Sequence, residues 1–178
     1  IKLSNFDQND CWLNAAEKSA IWLSENVKSD GTWAVGNYQN SFNPSYYSQV
    51  TWPMLRVWEK TNNNLIKEKA IKTLSLICKK TSNNGEILDW GFKPNEPAFT
   101  HTIAYTLRGI IESAIILDRW DDFGCFAEKA LDKFYRLSEL KNGALPGSFS
   151  KGWVGDSSYS CLTGNVQIAI CLIRYESL

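Results

Sequence analysis

The chain has 178 residues, with 19 basic and 19 acidic side chains and a formal net charge of zero. That length suits one domain with a true core, and the balanced charge argues against a nucleic-acid partner, which needs a basic face. No membrane span is expected: the longest apolar run, Ile110 to Leu117, is interrupted by Glu112 and Ser113 and falls short of the roughly 20 residues that cross a bilayer.

The predicted elements alternate in character along the chain. A first helix over about 12–28 carries Ala16, Ala20, Leu23 and Val27 on one face. The helical period of apolar residues over a Lys- and Glu-rich remainder marks an outer, solvent-facing helix. A loop follows that contains Trp33, Tyr38, Phe42, Tyr46 and Tyr47. Loops are usually polar, so this one is either packed down or open to hold something. A second helix is expected over about 45–61, started by Pro44. The pattern then recurs, with outer helices over about 64–80 and 123–141 and inner helices over about 99–118 and 159–176. The inner ones, "IAYTLRGIIESAIIL" and "VQIAICLIRY", are apolar nearly all round, as in helices buried on both sides. No alternating strand pattern is visible.

The recurrence is a true internal repeat. "AEKSAIWLSENVKSDGTW" from Ala16, "KEKAIKTLSLICKKTSNNGEI" from Lys67 and "AEKALDKFYRLSELKNGAL" from Ala127 each run from Glu-Lys through an apolar helix to an Asp-Gly or Asn-Gly turn. The Glu-Lys pairs are 51 and then 60 residues apart. Tyr47, Phe99 and Tyr159, each followed by Ser or Thr, open the second half of each unit. The expected fold is therefore all-α: residues 1–178 form one domain of three helical hairpins, in an inner and an outer layer, as an α/α toroid or half-toroid. A half-toroid would be the C-terminal half of a longer ring, missing its N-terminal half, or would self-associate.

The first unit resembles the repeat of the terpenoid cyclase and protein prenyltransferase superfamily: Lys18, Ser19, Trp22, Leu23, Gly31 and Trp33 stand at that repeat's spacing, with Val27 where the family has Gln. The other copies keep only Gly85 and Gly143. The Asp-rich acids of the cyclases and the diphosphate site are absent, and no full Asp, Cys and His zinc set can be placed. "HTIAYTLRGIIE" and "CLTGNVQIAI" look closer to bacterial proteins with prenyltransferase and squalene-oxidase-like repeats, many of them tied to surface-polysaccharide biosynthesis. Similar His- and Thr-rich inner helices occur in α/α-toroid enzymes that act on sugars. The resemblance implies a cavity protein that handles a glycan, as an enzyme or as a binding element. An isoprenoid-binding protein and a non-catalytic scaffold are the alternatives.

In such a fold the outer-to-inner connections share one face. Trp33, Trp90 and Trp153 fall in those connections, as do Asp30, Asp89 and Asp156. The tryptophans either plug the turns or, with Tyr47, Asp89, Asp156 and Tyr159, form a rim that stacks and hydrogen-bonds an oligosaccharide or other small ligand. His101, the only histidine, is either a general base or a packed core residue. With Tyr105 and Arg108 it could serve β-elimination from a uronic acid, Arg108 neutralising the carboxylate. Arg108 otherwise pairs with Glu112, four residues on. His101 and Cys161 stand at matching repeat positions, but two ligands are not a zinc site, and neither metal nor cofactor is expected. The five cysteines are odd in number and lack a Cys-x-x-Cys pair, which predicts reduced thiols and a cytoplasmic protein.

Overall fold

In a computed structural model, which describes residues 10–34 and 42–178, six helices carry the fold. They are α1 (Cys11–Glu25), α2 (Ser48–Thr61), α3 (Asn64–Cys78), α4 (Thr100–Leu117), α5 (Cys125–Leu140) and α6 (Leu162–Glu176). A 3-10 turn, Ser45–Tyr47, leads into α2, and a π turn, Trp120–Gly124, leads into α5. Tyr38 lies outside the described residues.

The helices form two rows. In the inner row α2 packs on α4 and α4 on α6; in the outer row α1 packs on α3; the first and third hairpins close α1 on α2 and α5 on α6, while α3 packs on α2. Chain reversals rest on left-handed residues suited to them: Asn62 (φ 56°) after α2 and Asp118 (φ 52°) after α4. Asn and Asp tolerate that region better than other side chains. Asn63 then caps α3 by accepting from the Leu65 amide at 3.2 Å, satisfying one of the orphan N–H groups of the first turn.

The inner row packs tightly because its contact residues are small. Ser48 Oγ donates to the Thr106 carbonyl at 2.8 Å, and the Thr51 and Ser113 hydroxyls meet at 3.1 Å. Each of these hydroxyls gains a partner in that contact, which is what makes its burial tolerable. The outward side of α4 (Ile103, Leu107, Ile110) is fully buried in a core shared with Leu131 and Phe134 of α5. A second core joins Ala20, Met54, Leu55, Ile66 and Ala70 of the first three helices.

The repeated Glu-Lys pairs now have a physical role. Lys69 Nζ donates to the Val27 carbonyl and Lys129 Nζ to the Asn83 carbonyl at 3.2 Å. Each lysine holds the turn that follows the outer helix of the preceding unit, where the helix leaves carbonyls unpaired and favours a cation. The turns themselves match: Val27 bridges Trp33 and Thr81 bridges Ile87, with Gly31 and Gly85 at φ +88° and +85°.

Three short strands depart from the all-helical expectation. β1 (Ala98–Phe99), β2 (Ser148–Ser150) and β3 (Val154–Asp156) form one antiparallel sheet in that order. Strands of two and three residues are too short to show alternation in a sequence. Gly152 (φ 79°) and Trp153 (φ 60°) supply the tight reversal between β2 and β3.

Candidate functional site

The three connection tryptophans are built into the protein. Trp33 and Trp90 are only 6 % and 7 % exposed. Trp33 meets the Tyr47 ring edge-on at 5.9 Å, and its amide donates to Asn43 Oδ1 at 2.7 Å. Trp153 is half-buried, with its ring 5.3–5.5 Å from those of Trp90, Phe134 and Phe149. Its indole N–H donates to the Asn84 carbonyl at 3.1 Å, while Glu86 Oε1 accepts from the amides of Gly152 at 2.6 Å and Trp153 at 3.3 Å. These rings spend their faces on protein, as plugs do.

The rim carboxylates are likewise occupied. Asp89 pairs with Lys80 at 2.9 Å. Asp156 accepts from the Ser158 amide at 2.9 Å, and hydrogen bonds from the Ser158 side chain and backbone hold its carboxyl below the usual range. Asp30 is lowered in the same way, first by the Thr32 hydroxyl and then by the Thr32 amide. Tyr47 is half-buried, and burial, followed by the neighbouring Tyr46, pushes its phenol above the ordinary value. Tyr159 is exposed and lies over Gly147, whose Cβ position would fall 2.1 Å from the ring.

His101, Tyr105 and Arg108 do come together, on the side of α4 opposite its core-facing residues. Their spacing of four and three residues puts them in one helical row. His101 and Tyr105 meet edge-on with centroids 5.8 Å apart. Above them, rings continue up the wall: His101 is 5.6 Å from Phe92 and 5.7 Å from Phe99, and Phe92 is 5.5 Å from Tyr46. Tyr46, Phe92, Lys93, Glu96, Pro97 and Phe99 line a groove of about 550 Å³ at the head of this row. Phe92 and Phe99 are exposed. Sequence reasoning did not select Phe92. Its signal is a lone aromatic inside the polar turn "GFKPNEP", where burial gives no reason for one.

Arg108 is not paired as the sequence spacing suggests. Glu112 instead takes Arg174 of α6, at 3.2 Å. The Arg108 guanidinium donates to Gln167 Oε1 at 2.9 Å and lies 4.8 Å from the centre of the Trp52 ring. Among the described residues no carboxylate pairs with it, and its buried Nε has no hydrogen-bond partner. Gln49 Oε1, on α2, is also buried and unsatisfied among these residues.

His101 is held below its ordinary value of 6.5 by partial burial. It is therefore neutral at pH 7, with Nδ1 3.6 Å from Cys161 Sγ, and it can accept a proton. Among the described residues no group of three or more His, Cys, Asp and Glu side chains could hold a metal ion, and no helix is long and apolar enough to cross a membrane. Chemically the row offers an aromatic wall, a neutral imidazole and a cation that no described carboxylate pairs. No protein-family model and no curated protein sequence matches the chain.

Proposed function

We propose that this chain binds an acidic saccharide along the row from Phe99 to Arg108, with a sugar carboxylate at Arg108 and pyranose faces against His101, Tyr105 and the Phe92–Phe99 groove. The observation that carries the reading is the Arg108 guanidinium. A half-buried cation without an anion is unfavourable, and a carboxylate supplied by a ligand would complete it with charge-assisted hydrogen bonds. Aromatic side chains beside it suit the apolar faces of sugar rings. The resemblance of the first unit to the cyclase and prenyltransferase repeat, and of α4 to the inner helices of sugar-active toroids, agrees with a ligand site on this row. A toroidal closure of the hairpins belongs to the same proposal.

A second reading has its own support. The groove beside Phe92 and Phe99 is mostly apolar, and an isoprenoid chain would fill it as well as a sugar would. The missing Asp-rich motifs count against a diphosphate head group there.

A thermal-shift panel separates the two. Acidic oligosaccharides, their neutral counterparts and prenyl diphosphates with magnesium are each added to the purified chain; a ligand that binds only the folded state raises the melting temperature by mass action. The proposal expects a shift with the acidic sugars alone. Equal shifts with neutral sugars would remove Arg108 from the account, and a shift only with prenyl diphosphates would replace the saccharide reading by the isoprenoid one.

A further inference from the structure

Both ends of the helical array expose the faces by which its units dock on one another. At the head, the template is the contact of α3 with the preceding unit: Lys69 reaches the Val27 carbonyl, Thr73 Oγ1 donates to the Gly31 carbonyl at 2.9 Å, and Gly31 sits on the backbone of Lys72 and Thr73. Moving back by the 51-residue repeat carries Lys69 and Thr73 onto Lys18 and Trp22 of α1. Among the described residues nothing is docked on that face there. Trp12 and Trp22 are 50 % and 55 % exposed, and Ala15, Lys18 and Ser19 between them are exposed as well.

At the tail, one side of α6 meets α4, where Cys161, Gln167 and Arg174 face His101, Arg108 and Glu112. The opposite side of α6 carries Leu162, Val166, Ala169 and Ile173, an apolar i, i+4, i+7, i+11 row. Leu162, Val166 and Ile173 are 79 %, 59 % and 67 % exposed. A row of this kind on a helix is a packing surface. The turn glycines agree. Gly31 and Gly85 press on the next outer helix, whereas nothing among the described residues lies within 4 Å of the Cβ position of Gly143.

We infer that a second copy of this chain occupies this end, head to tail: the α1–α2 end of one copy seats on the α5–α6 end of the other and continues the unit-to-unit contact found inside the chain. The occupant is a hairpin of this repeat, because the α1 face and the Gly143 turn are the two sides of the outer-helix contact found inside the chain, and the head of another copy supplies one. Such a contact is heterologous, so it closes into a ring or extends.

Sedimentation velocity on the full chain at micromolar concentration tests this, with Val166→Glu breaking the tail and Trp22→Glu breaking the head. Both positions are exposed, and a thermal melt of each variant shows whether it still folds. The expected result is a wild-type mass that is a multiple of 20.2 kDa and a dissociation constant raised at least about tenfold in either variant alone. An equimolar mixture of the two variants restores association, because it contains one intact head and one intact tail. A wild-type chain that stays monomeric overturns the inference. So does association that survives Trp22→Glu while failing with Val166→Glu, which is a tail-to-tail pairing.

Discussion

Gly109 of α4 lies against the backbone of Ser48 on α2: a β-carbon at Gly109 would fall 2.2 Å from the Ser48 carbonyl carbon and 2.4 Å from its oxygen. The two helices meet there with no side chain between them, and the Ser48 Oγ bond to Thr106 and the Thr51–Ser113 hydroxyl contact depend on that closeness. Gly109→Ala must therefore separate α2 from α4. Overpacking of a core costs about 1–3 kcal/mol and more where backbone is the obstacle. A loss of about 3 kcal/mol corresponds to a fall of roughly 6–12 °C in Tm for a chain of this size. A melt within a degree or two of wild type would mean that the helices do not cross at Gly109.

The turn glycines give a paired comparison. Gly31 and Gly143 are both left-handed, at φ +88° and +85°. Only Gly31 also meets backbone, with Lys72 O 2.4 Å from its Cβ position. Gly143→Ala should cost about 1 kcal/mol of conformational strain, while Gly31→Ala adds a clash and costs several times as much. Chemical denaturation of both variants checks the order. Equal losses would contradict the docking of the first turn on α3.

Burial of His101 makes stability depend on pH in one direction. Its folded pKa is lowered below 6.5, so the unfolded chain binds more protons between the two values, and stability rises with pH there. Stability is therefore lost as pH falls below about 6.5, down to the folded pKa, below which this contribution is constant. His101→Asn should flatten that part of a Tm-against-pH curve. An unchanged curve would place the imidazole in water.

The thiols should divide by burial. Desolvation pushes Cys78 and Cys171 up to about 12, with Cys125 adding to the rise at Cys78. The reactive thiolate is then on the order of one part in ten thousand at pH 8. Cys11 is exposed. Iodoacetamide followed by peptide mass mapping should label Cys11 first and reach Cys78 and Cys171 only after unfolding. Labelling of Cys78 or Cys171 at the rate of Cys11 would contradict their place in the core.

The six helices were legible because outer and inner segments differ in their apolar period. Their ends were less so: α1 and α3 stop at Glu25 and Cys78, because the chain leaves each helix to form the Val27–Trp33 and Thr81–Ile87 bridges. The role of Trp33 and Trp90 could not be read locally, since a plug and a rim residue differ only in what lies opposite. Arg108 failed for the same reason. Helical spacing offers Glu112 to it, but Arg174, from another helix, takes that carboxylate. That His101, Tyr105 and Arg108 share one row was legible because it needs only the pitch of one helix.

The most direct test of the account is calorimetric titration of the chain and of Arg108→Gln with an oligouronate and with its neutral counterpart. A charged hydrogen-bonded pair contributes about 1.5–3 kcal/mol, so the account predicts that Arg108→Gln, still folded by circular dichroism, binds the oligouronate roughly 10–100-fold more weakly, while the neutral sugar binds neither protein measurably. Oligouronate binding that is unchanged by the substitution would contradict the assignment of Arg108 as the anion's partner, and with it the proposed site.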